Sequence, residues 1–154
     1  MKTALLLVAF AALLSACQST PTDASAALTG DAVPFRTVAR GYQSGVATAA
    51  IEIARNADEW RALWTRHTAV TLPRPPLPDV DWSKEMVVSV ALGERPTAGF
   101  ALEITQVALD KGVLRVVAVE KKPAKDAIVP MVITQPFHMI ATARRDGDVR
   151  LDLR

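Results

Sequence analysis

From Met86 to the C-terminus the chain repeats one pattern: short apolar or alternating runs separated by turn-forming residues. That pattern restricts it to a β-rich fold. Met86 to Leu92 is almost wholly apolar, as a strand covered on both faces requires. Phe100, Leu102 and Ile104 alternate with Ala101, Glu103 and Thr105. The phase slips at Gln106, with Val107 and Leu109 carrying the apolar face on, which predicts a β-bulge. Asp110-Lys111-Gly112 predicts a three-residue hairpin loop that returns into Val113 to Val119. Asp146-Gly147 predicts a two-residue hairpin joining Phe137–Arg144 to Val149, Leu151 and Leu153.

Upstream, Phe35 to Gln43 and Ala47 to Ile53 read as two short strands. Asn56 then opens a helix, with Glu59 three residues on as in a capping box. Trp60, Leu63, Trp64 and His67 follow at i, i+3, i+4 and i+7 and share one face, which two tryptophans suit to packing on a sheet. Leu72 to Pro78 holds four prolines and reads as a stiff connector, neither helix nor central strand. The expected fold is α+β: a mainly antiparallel, sandwich-like sheet domain over 35–154, with one packed amphipathic helix near 57–67.

The N-terminus is of a different kind. Met1-Lys2-Thr3 carries one positive side chain, and Ala4 to Leu14 is uninterrupted apolar sequence. A charged start, about 11 apolar residues and small residues before a cut define a secretory signal, and the run falls short of a bilayer span. Leu14-Ser15-Ala16-Cys17 resembles the bacterial lipobox. The resemblance implies removal of residues 1–16, lipid on Cys17 and attachment to a membrane; two or more acyl chains anchor stably. Gln18 follows Cys17, where an aspartate commonly signals inner-membrane retention. In a cell with two membranes the outer one, on its periplasmic side, is therefore expected. Residues 17–34, rich in Ser, Thr, Ala, Asp and Pro, read as a flexible tether.

Cys17 is the only cysteine, so no intrachain disulfide can form and the fold must rest on packing. Without Lys2, 17 basic residues face 16 acidic ones, a balance that makes no case for nucleic acid as a partner. Residues for catalysis are scarce. His67 and His138 are the only histidines, no G-x-S-x-G elbow supplies an activated serine, and no thiol or closely spaced histidine pair offers a metal site. Asp79 and Asp81 sit beside prolines as turn-formers, and Lys121, Lys122 and Lys125 form a solvated cluster. No enzyme, no metal and no cofactor is expected.

Two loops stand out instead. Gly93-Glu94-Arg95-Pro96-Thr97-Ala98-Gly99-Phe100 separates two apolar strands, and Thr134-Gln135-Pro136-Phe137 opens a later one. An aromatic beside proline and glycine suits a rigid recognition edge, so Arg95, Pro96, Thr97, Gly99, Phe100, Pro136 and Phe137 are candidate protein contacts, though a plain turn with a core aromatic fits each loop equally well. Together with Trp60-x-x-Leu63-Trp64-x-x-His67 and Val80-Asp81-Trp82-Ser83-Lys84-Glu85-Met86-Val87-Val88, these loops resemble the PrcB family of protease complex subunits, from about Ile51 to Arg144. Ala98 stands where that family usually has the first glycine of its loop. The resemblance implies a non-catalytic accessory or stabilising module whose partner is an envelope peptidase. Pro96-Thr97-Ala98-Gly99-Phe100 and Pro136-Phe137 also resemble, more loosely, the loops of chagasin-type peptidase inhibitors, which implies inhibition as an alternative. A structural envelope lipoprotein without a peptidase partner is the third reading.

Overall fold

A computed structural model describes residues 30–154. The signal, Cys17 and most of the expected tether lie outside the described residues. Eight strands and one α-helix follow in order: β1 (Asp31–Ala32), β2 (Phe35–Gly41), β3 (Ala50–Ala54), α1 (Ala57–His67), β4 (Glu85–Ala91), β5 (Ala101–Asp110), β6 (Val113–Lys121), β7 (Phe137–Ala143) and β8 (Val149–Leu153). They form two four-stranded sheets, ordered β1-β5-β6-β8 and β2-β7-β4-β3. All pairings are antiparallel except β6 with β8.

The sheets pack face to face through one apolar layer. Met86, Val88, Val90 and Ile140 meet Leu102, Ile104, Val107, Leu114 and Val116 there. The central strand β4 explains its own apolar run. Its even residues enter this layer, while Val87 and Ala91, on the other face, lie under α1 with Trp60, Leu63 and Trp64. Both faces of the second sheet are thus covered, and the architecture is α+β, a sandwich with a helix on one outer face.

Helix α1 starts as its sequence directs. Asn56 has extended backbone, and its side-chain oxygen accepts from the N–H groups of Asp58 (3.1 Å) and Glu59 (2.9 Å). The Glu59 carboxylate reaches back one residue further than a capping box would, to Arg55 N–H at 2.7 Å. The proline stretch closes over the helix: Trp60 Nε1–H donates to Pro78 O (2.9 Å) and Trp64 Nε1–H to Pro75 O (3.2 Å). The buried indoles thus find partners without a water.

The register shift in β5 falls between Ile104 and Gln106, where the alternation slips. Three expectations change. The first hairpin loop has two residues, not three: the ladder closes at Asp110–Val113, and Lys111 and Gly112 have φ of 50° and 83°. Positive φ at both central residues matches the twist of the flanking strands. Asp146-Gly147 makes no hairpin. Strand β7 already has β2 and β4 on its two sides, so β8 has no edge there and crosses to the other sheet, parallel to β6. Arg55 holds the crossing, donating to Arg145 O and Gly147 O at 2.9 Å each. Finally, the stretch expected as tether already enters the sandwich before Phe35. Asp31 and Ala32 pair with Leu109 and Ala108, and Val33 is buried.

Candidate functional site

The strand directions place the 92–100 loop, the 122–136 segment and Tyr42 at one end of the sandwich. Gly30 lies beside Leu109 and Asp110, at the other end of β5. A ten-residue strand separates the two ends by roughly 30 Å.

The two loops singled out in the sequence are tied together. Arg95 and Thr134 exchange both backbone hydrogen bonds, 2.7 and 2.9 Å, as an isolated antiparallel bridge. Thr134 Oγ1 donates to Thr97 O (3.0 Å), Ala98 N–H to Pro130 O (3.0 Å) and Leu92 N–H to Pro136 O (2.9 Å). Arg95 stiffens the loop from beneath. Its Nε–H donates to Glu120 (2.8 Å) and its Nη1 to Leu92 O (2.8 Å), with the guanidinium 6.0 Å from the centre of the Phe100 ring. The Arg95 side chain is 24% exposed and that of Glu120 14%, so this pair is better shielded than a surface ion pair. Gly99 has φ +90°, and a Cβ there would lie 3.0 Å from Pro123 Cβ. Ala98 is not among the residues with positive φ, so the loop does not need glycine at that position.

The candidate contacts divide. Pro96 and Gly99 are exposed, and Arg95, Thr97 and Phe100 are half-buried. Pro136 and Phe137 are buried, Phe137 at 7% exposure, and neither can form an accessible contact surface. Phe137 packs under α1, edge-on to His67 with ring centres 3.8 Å apart. Adjacency to an exposed loop suggested a presented aromatic; the first residue of a central strand is covered instead.

What the sequence reading passed over is the apolar stretch Ile128-Val129-Pro130-Met131-Val132-Ile133. Ile128, Met131, Val132 and Ile133 are all exposed, Met131 at 84%, and Tyr42 joins them at 64%. Tyr42, Phe100 and Val132 line a recess of about 330 Å³, and Ile133 lies beside Pro96 on the other side of the segment. The signal was available. An apolar run interrupted by proline cannot serve as a covered central strand, so its side chains have no sheet interior to enter.

Both histidines are internal and neutral. His138 joins the sheets: its Nδ1 accepts from Ile104 N–H (2.7 Å), which leaves Nε2–H to donate to Thr37 Oγ1 (2.9 Å). Burial, with Arg40 adding to it and Glu103 opposing, pushes its pKa down to about 4. Burial alone pushes His67 to about 4. His67 Nδ1 lies 2.8 Å from Ser44 Oγ, a serine–histidine pair that its sequence separation hides. With Ser44 at 1% and His67 at 3% exposure, no substrate reaches the hydroxyl. The pair fastens the loop after β2 to the end of α1, where Gly45 N–H also donates to His67 O (2.8 Å).

No curated protein and no solved structure matches the chain. Residues 86–143, which span β4 to the end of β7 and include both tied loops, match a family model described as PrcB C-terminal, the family that the sequence motifs resemble.

Proposed function

We propose that the protein is an envelope lipoprotein, anchored through Cys17, whose domain binds a peptidase as a non-catalytic accessory subunit. The family of residues 86–143 supports association with a protease complex. The observation that carries the binding role is the exposed apolar segment bearing Ile128, Met131, Val132 and Ile133, with Tyr42 and Val132 lining one recess, on a loop end braced by hydrogen bonds. Several large apolar side chains exposed on one segment commonly mark an interaction site. Gly30 and β1 lie at the opposite end of the sandwich, which suits an anchor at Cys17 that leaves this end facing away from the bilayer. Inhibition through two aromatic loops loses half its basis, because Phe137 lies under α1.

The test is affinity purification of the tethered protein from its own cells, beside Ile128→Ser/Met131→Ser/Ile133→Ser. A peptidase recovered with the wild type and lost with the folded variant is the expected result, and its activity while bound separates helper from inhibitor. Recovery of no peptidase with either protein would leave the structural-lipoprotein reading in its place.

A further inference from the structure

The braced end carries charge as well as apolar surface. Next to the Tyr42–Phe100–Val132 recess, and sharing Tyr42 and Phe100 as a wall, is a cleft of about 210 Å³ that Arg40, Glu103 and Lys121 also line. Glu103 lies between the two cations, 3.1 Å from Arg40 and 2.7 Å from Lys121. One carboxylate cannot neutralise both. An apolar recess thus adjoins a cleft with a net positive charge. The walls are pre-set: Gln135 N–H donates to Tyr42 O (2.8 Å), and the Arg95–Thr134 bridge holds the Phe100 loop against the segment that carries Val132. A pre-set recess loses little conformational entropy on binding, which favours a side chain of a protein partner.

Resting on the protein-binding role proposed above, we infer that this end receives an extended protein segment in which an aromatic or branched apolar residue stands two positions from an aspartate or glutamate. The apolar side chain enters the recess between Phe100 and Val132, and the carboxylate lies over Arg40 and Lys121. Alternate residues of an extended segment point the same way roughly 7 Å apart, a spacing suited to two adjoining recesses.

The probe is a displayed library of random twelve-residue peptides, selected on the full chain at physiological salt. Peptides pairing an apolar residue with a nearby carboxylate are expected. Their affinity should fall at least about tenfold in Val132→Asp, which puts a charge into the recess. It should fall about fivefold in Arg40→Gln/Lys121→Gln, as two exposed ion pairs are lost, and weaken with added salt. Circular dichroism of each variant checks that the fold is kept. Selected peptides without acidic residues, indifferent to the charge variant, would overturn the inference, as would the failure to select any. Binding to vesicles of mixed zwitterionic and anionic phospholipid that is lost in Ile128→Ser/Met131→Ser, with no peptide selected, would assign this end to a bilayer instead. A peptidase still captured from cells by Val132→Asp would sink the recess while leaving the accessory role intact.

Discussion

Phe100 and Phe137 look equivalent in the sequence, each an aromatic leaving a proline-containing loop, yet their surroundings differ. Phe100 is half-buried with Arg95 above its ring, whereas Phe137 is enclosed by Met139, His67 and the helix. Phe137→Ala should therefore cost about 3–5 kcal/mol of stability, as core truncations of this size do, and urea unfolding measures it. Phe100→Ala should cost far less; equal losses would show that the two environments are alike. The histidines set a pH dependence. Both have folded pKa values near 4, below the ordinary value of 6.5. Between those limits the unfolded chain binds more protons, so stability is full above about pH 7 and falls as pH drops from 6.5 toward 4, by up to about 3 kcal/mol for each histidine. Glu85 and Glu103 also have lowered pKa values, from hydrogen bonds to Arg36 and Lys121 respectively. Their contribution is lost only as pH falls below the ordinary carboxylate range. Unfolding midpoints that stay flat between pH 7 and 4.5 would show the histidines to be solvated.

At the scale of elements, α1 is the most legible part of the chain, because its cap and its apolar face are written in neighbouring residues. Asn56→Ala leaves two N–H groups without their acceptor and should destabilise by about 1 kcal/mol, read from thermal or urea unfolding. No measurable loss would mean that Glu59 or water takes over the cap. The β5 bulge was equally readable, since a change of phase needs an extra residue. The partner of β8 was not. Asp146-Gly147 is a strong local turn signal, but a turn makes a hairpin only if the preceding strand has a free edge, and β7 has none. The serine–histidine pair was hidden for the same reason: Ser44 and His67 meet only when α1 lies across the second sheet.

At the scale of the whole molecule, the sandwich separates the residues of its core from the apolar residues exposed at one end. The layers between the sheets and under α1 hold the core, while Ile128, Met131 and Ile133 project from one end and take no part in either layer. Ile128→Ser/Met131→Ser/Ile133→Ser should accordingly leave the thermal midpoint nearly unchanged, within the range usual for surface substitutions, while abolishing partner capture. A large fall in the midpoint would return those residues to the core. The sequence by itself determined the β-rich class, the helix and its buried face, the bulge and the prominence of the loops around Arg95 and Thr134. Each of these follows from residues close together in the chain, through periodicity, capping or turn chemistry. Only the tertiary structure decided which strands are neighbours, that Phe137 is interior, and that the run from Ile128 to Ile133 stays in solvent beside Tyr42. Edge availability and burial depend on contacts between residues far apart in sequence, and no local pattern encodes them.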